Sequence, residues 1–162
     1  MLRQCHAVCM KCPVVAVVAL ACMSSAVAQT KSPDNGYWKS VSNTARSITG
    51  DITISGERMM MVFQPFTIAD IRELSPEEIA GAFNFQDNDG VTGKLYRLSI
   101  AADRKFLRRN TLCGAEETQY MATAVQGKTL QVAFFSGAKM PSLKPEDLNN
   151  STALCGTFTY AR

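Results

Sequence analysis

QYMATAVQGKTLQVAFF, Gln119 to Phe135, is the stretch that decides the fold. Two runs rich in apolar, β-branched and aromatic residues flank Gln126-Gly127-Lys128, a polar break built on glycine. That pattern predicts an antiparallel hairpin. Val91 to Ile100 repeats the signal upstream, with Leu95, Arg97 and Ser99 opposite Tyr96, Leu98 and Ile100. Asp87-Asn88-Asp89-Gly90 before it reads as a hairpin turn, with Phe83 and Phe85 alternating on its far side.

Working outward, Ile48 to Ile54 is β-branched, Ser55-Gly56-Glu57 is its turn, and Arg58 to Phe63 returns as the partner. Phe66 to Ile71, Phe106 to Leu112 and Ala153 to Tyr160 are further expected strands. Helix is scarce. Ser75-Pro76-Glu77-Glu78 has the form of a capped start, with Ser as N-cap, Pro at N1 and Glu at N3. Lys39 to Ser47 and Pro145 to Leu148 are other short candidates. The reading is mainly β: a small antiparallel β-barrel or sandwich of seven to nine strands with one or two short helices.

The amino terminus has the three parts of a secretory signal peptide. Arg3 and Lys11 give a positive start, Pro13 to Ala21 is a short apolar run, and Ala26-Val27-Ala28 supplies the cut. The run is well short of the roughly 20 apolar residues needed to span a bilayer. The expected division is therefore 1–28 signal peptide, 29–35 disordered lead-in and 36–162 one barrel domain. The chain is expected in the periplasm or outside the cell. Leu20-Ala21-Cys22 keeps a lipoprotein as the lesser alternative. Removing Arg3 and Lys11 from 17 basic residues leaves 15 against 14 acidic ones, so charge gives no argument for nucleic acid.

Cleavage would discard Cys5, Cys9, Cys12 and Cys22, and with them the Cys9-Met10-Lys11-Cys12 pattern. Cys113 and Cys155 remain and are expected to pair in an oxidising compartment. The loop they enclose is roughly 43 residues, worth about 4 kcal/mol in the chain-entropy account. The one histidine, His6, would also go. That excludes Ser-His-Asp and Cys-His schemes and the common zinc sites. No catalytic residues, cofactor or metal are assigned. A calcium loop on Asp87 to Gly90 fails, because Phe85 and Tyr96 would fall where acids must stand.

Candidate binding residues are few. Arg104, Lys105, Arg108 and Arg109 form a basic cluster around Phe106 and Leu107, suited to a lipid phosphate or an acidic glycan. The rival reading is an edge strand blunted by charge, with Asp103, Glu116 and Glu117 close by. Met59-Met60-Met61 could bind a soft metal, but only Met59 and Met61 share a strand face, so core filling is the better account. Lys139 to Asn150 is a long polar connection inside the cysteine loop.

Gly36-Tyr37-Trp38 resembles the G-x-W signature at the first strand of lipocalins. The resemblance implies a calycin-like barrel with Trp38 closing one end. Ala45 to Ile54, Thr111 to Gly114 and Leu154 to Tyr160 resemble a group of uncharacterised small exported proteobacterial proteins, a likeness that implies no activity. Ser136-Gly137-Ala138-Lys139 resembles the S-G-x-x-Y loop of periplasmic lysozyme inhibitors, with Met140 in place of the tyrosine.

The leading expectation is a non-enzymatic binding protein for a small apolar ligand or an envelope component, its interior lined by Phe, Met and Ile. The alternative is a protein-binding inhibitor acting through exposed loops. A carboxylate-dependent hydrolase is the third reading.

Overall fold

The computed structural model of the protein describes residues 32–162. The signal-peptide reading, His6 and the first four cysteines lie outside those residues. Nine strands form one antiparallel sheet: β1 (Gly36–Ser40), β2 (Ile52–Ser55), β3 (Arg58–Met61), β4 (Gln64–Thr67), β5 (Ala69–Glu73), β6 (Thr92–Ile100), β7 (Thr118–Gln126), β8 (Thr129–Ser136) and β9 (Leu154–Ala161). Three short helices accompany them: α1 (Asn43–Ser47), α2 (Pro76–Ala82) and α3 (Pro145–Leu148). A 3-10 turn spans Leu107–Arg109.

The spatial order is β4-β3-β2-β1-β9-β8-β7-β6-β5. Every strand thus lies beside its sequence neighbour, except that β4 and β5 occupy opposite edges although only Ile68 separates them. Nine strands laid flat would hold those edges roughly 38 Å apart. One residue cannot bridge that gap, so the sheet must roll until its edges meet. Gln64 to Glu73 is in effect one bent strand, pairing with β3 before Ile68 and with β6 after it. The first strand meets the last through Lys39 opposite Ala161 and Ser40 opposite Tyr160. The result is an up-and-down antiparallel sheet that is not closed, an open barrel or sandwich whose β4–β5 seam is bridged by the chain and not by a ladder.

Strand alternation sorts the side chains. Trp38, Ile52, Ile54, Met59, Met61, Met121, Leu130, Val132, Phe134, Phe158 and Tyr160 point inward and are fully buried. Phe134 and Phe158 meet edge to face at 5.3 Å. Met59 and Met61 are core filling, as their shared face requires. The interior expected to hold a ligand is filled by its own Phe, Met and Ile side chains.

A second core lies outside the barrel. Leu95, Tyr120, Ala122, Ala124, Ala133 and Phe135 point outward and are covered by Leu74, Ile79 and Ala82 around α2 and by Leu143 and Leu148 around α3. β7 and β8 are therefore buried on both faces, which explains their near-continuous apolar sequence. The expected capping box is present: Ser75 Oγ accepts from Glu78 N, and Glu78 Oε2 accepts from Ser75 N. Gly81 permits close approach, since a Cβ there would stand 2.6 Å from the Leu143 carbonyl oxygen.

Several expectations change. Phe106 to Leu112 is not a strand: Leu107 N bonds Ile48 O and Phe106 N bonds Asn110 O, so these amides serve a turn. Phe83 and Phe85 form no strand, and Asp87 to Gly90 is a turn without a hairpin; Phe83 instead packs under α2. Phe66 to Ile71 divides at Ile68. Lys39 and Ser40 belong to β1, and α1 begins only at Asn43, capped by Ser42. The three short α-helices among the described residues fall within or beside the three short helix candidates of the sequence. Within the expected disordered lead-in, Ser32 to Asn35 is folded, and Asp34 is buried.

Candidate functional site

The two ends of the barrel differ in chemistry. At one end, the turns at Ser55-Gly56-Glu57 and Gln126-Gly127-Lys128 are short, and residues 32–35 pack across the opening. Gly56 N donates to Asn35 Oδ1. Trp38 Nε1 donates to the Asp34 carbonyl at 2.7 Å, and the Arg162 guanidinium stacks 4.3 Å over the Trp38 ring. Trp38 therefore closes this end as a structural residue, and no side of it is free for a ligand.

Asp34 Oδ2 accepts hydrogen bonds from Tyr96 at 2.6 Å and Thr123 at 3.0 Å. Burial, and then the bond to Asp34, raise the Tyr96 phenol well above the ordinary tyrosine range. Asp34 Oδ1 and Ser32 Oγ are buried without a hydrogen-bond partner among the described residues. A pocket of about 200 Å³ opens beside them, lined by Asp34, Glu73, Lys94 and Thr92 with Leu74 and Val91. Two carboxylates thus share a pocket, as the hydrolase reading asks. One of them is engaged by two buried hydroxyls, which gives it the work of holding residues 32–35 in place.

The opposite end is built from long connections. Phe106 enters the inner core beside Phe66, ring centroids 5.9 Å apart, and closes the opening. Asn110 Nδ2 donates to Ser47 O, fixing the turn to the end of α1. Cys113 and Cys155 are joined by a disulfide with Cα atoms 4.8 Å apart. It ties the connection before β7 to the start of β9.

Outside the barrel, beside this end, lies an apolar depression. It has a volume of about 430 Å³ and is lined by Tyr37, Thr53, Met60, Val62, Phe63 and Leu107, with Thr49 to Asp51 at one side. Register explains the lining: Tyr37 faces Thr53, and Thr53 faces Met60, so three outward side chains form one row across β1, β2 and β3. The Tyr37 hydroxyl donates to Asp51 Oδ2, and Ser40 N and Oγ donate to Oδ1. The Tyr37 bond, then the Ser40 amide, hold the Asp51 carboxyl below the ordinary carboxylate range. The tyrosine forms a fixed wall of the groove.

The other wall is strained. β3 and β4 are joined through Val62 and Phe63, both left-handed, at φ 48° and 59°. Tight hairpins of this kind favour Asn-Gly, and a β-branched residue at positive φ is a genuine outlier. Phe63 is 98% exposed. Arg108 and Arg109 form a second left-handed pair, at φ 53° and 62°. Strain of this kind costs on the order of 1–3 kcal/mol per residue and clusters at functional sites.

The structure therefore brings four sequence candidates to one place and disperses the others. Arg104, Lys105, Arg108 and Arg109 are exposed at the groove's end of the barrel. Arg104 Nη1 donates to Gln64 Oε1 at 3.1 Å, and Gln64 adjoins Phe63. Leu107, beside Arg108, lines the groove itself. None of the four makes an ion pair among the described residues. Ser136, by contrast, is buried at the end of β8, its amide and hydroxyl both on Ala153 O. Lys139 is exposed, but the chain after it turns back and buries Leu143 and Leu148 against the sheet. Sequence reasoning missed Tyr37, Met60, Val62 and Phe63. The one signal available was an apolar pair at a hairpin tip.

No family model, curated protein or solved structure matches this chain. No helix among the described residues is long and apolar enough to cross a membrane.

Proposed function

We propose that this chain is a non-enzymatic binding protein of the cell envelope, exported to the periplasm or beyond, that takes an apolar group of its ligand in the outer groove. The single observation that carries the reading is the Val62–Phe63 hairpin. It holds two disfavoured backbone conformations and leaves a phenylalanine almost wholly in water, beside an apolar depression. The filled interior supports a ligand held outside the barrel. The up-and-down strand order supports the calycin-like reading of Gly36-Tyr37-Trp38. The inhibitor reading has less support, because Ser136 is buried and the connection after it packs against the sheet.

Fluorescence titration with a soluble, single-chain acyl probe tests the proposal. The wild type should bind it in the micromolar range, and Met60→Lys, which places a cation in the groove, should weaken binding at least tenfold. Equal affinity of the two proteins, or no binding by either, would remove the groove from consideration. Inhibition of a lysozyme by the purified protein would move the assignment to the inhibitor reading.

A further inference from the structure

Resting on that reading, we infer that the groove's end of the barrel is a docking surface for an anionic lipid bilayer, with Phe63 as the inserting residue. Two independent features converge there. One is apolar: Phe63 at a hairpin tip, 98% exposed, with Val62 beside it and Leu107 across the groove. The other is electrostatic: Arg104, Lys105, Arg108 and Arg109, all exposed and without ion pairs among the described residues. The Arg104–Gln64 hydrogen bond ties the second feature to the first.

Charge complementarity selects the partner. Each Lys or Arg close to an anionic membrane strengthens binding about fivefold, and the effect fades within a Debye length. An apolar side chain that leaves water for the acyl boundary contributes on the order of tenfold or more. The combination suits a surface with negative headgroups outside and hydrocarbon beneath. A soluble acidic glycan offers the charge but no phase for Phe63 to enter. The left-handed backbone of Arg108 and Arg109 fits the same account, since it turns two adjacent cations outward from a segment whose Phe106 is buried. Of the nearby acids, Glu117 is hydrogen-bonded by Ser99 and Gln119 on the sheet, while Asp103 and Glu116 are exposed, so the four cations exceed the three acids by one charge.

The experiment is co-sedimentation with vesicles of phosphatidylcholine alone and with about one third phosphatidylglycerol, at low and high salt. The expected result is binding to the anionic vesicles, at least tenfold weaker at high salt and on the neutral ones. Phe63→Ser should lose about tenfold. Lys105→Glu/Arg109→Glu should lose more than twentyfold while keeping the wild-type melting temperature and affinity for the soluble acyl probe. Equal binding to neutral and anionic vesicles would overturn the inference, and so would wild-type behaviour of both variants. Binding to a soluble acidic polysaccharide without vesicle binding would overturn it too, in favour of a glycan. Vesicle failure with acyl-probe binding intact sinks this inference alone; loss of both sinks the groove as well.

Discussion

The outer face of the barrel is covered over β6, β7 and β8 and bare over β1, β2 and β3. On the covered half, the outward residues of β7 and β8 include Ala122, Ala124 and Ala133, small enough for α2 and α3 to lie close. On the bare half, the equivalent outward row is Tyr37, Thr53 and Met60, larger side chains with no helix of the described chain over them. One sheet thus uses its outer face in two ways. The covered half spends apolar surface on folding. The bare half keeps apolar surface in water, where it contributes little to folding and is open to a ligand.

The largest test of this contrast compares two phenylalanines. Phe135 is fully buried on the covered half, and Phe63 is exposed beside the bare one. Urea unfolding should show Phe135→Ala losing about 3–5 kcal/mol, with Phe63→Ala within about 0.5 kcal/mol of wild type. Similar losses in the two variants would break the comparison.

A smaller effect comes from β9, which lies between β8 of the covered half and β1 of the bare half. The disulfide holds the start of β9, where that strand pairs with β8. Replacing both cysteines, Cys113→Ser with Cys155→Ser, should cost about 2–5 kcal/mol and lower the melting temperature. Thiol titration of the native protein should find neither sulfur free. Two reactive thiols would show that β9 is held without the bridge.

The smallest effect should run in the opposite direction. Replacing the strained tip, Val62→Asn with Phe63→Gly, supplies the residues that a positive-φ hairpin favours. We expect a gain of about 1–2 kcal/mol in thermal or urea unfolding, together with weaker binding of the acyl probe. A loss of stability would mean that the hairpin contributes to folding and is not held against it.

Much of this was legible in the chain, and the exceptions share a cause. The β7–β8 hairpin was readable because pattern and turn agree over Gln119 to Phe135. The start of α2 was readable because Ser75, Pro76 and Glu78 are local signals. Asp34 was not, since its burial depends on Tyr96 and Thr123, 62 and 89 residues away. Phe106 and Leu107 look like strand residues, but the bonds of their amides go to Ile48 and Asn110. Val62 and Phe63 have high strand propensity and sit in a turn, so local preference and structure conflict there. Conflicts of that sort gather at functional sites. The basic cluster was visible as a cluster, while its place beside Phe63 needed the fold.

The pairing of the first strand with the last has a consequence in time. β1 finds its second neighbour only in Lys39–Ala161 and Ser40–Tyr160, contacts that join nearly the two ends of the domain. Such distant pairings are slow to form, because the loop must close before any contact rewards it. A growing chain that has not yet released Leu154–Ala161 has β1 and β8 as bare edges and Cys113 without its partner. Unpaired edges invite strands from other molecules. Until Leu154–Ala161 is in place this protein is therefore most exposed to aggregation, and a chaperone that shields those two edges would protect it most effectively while it folds.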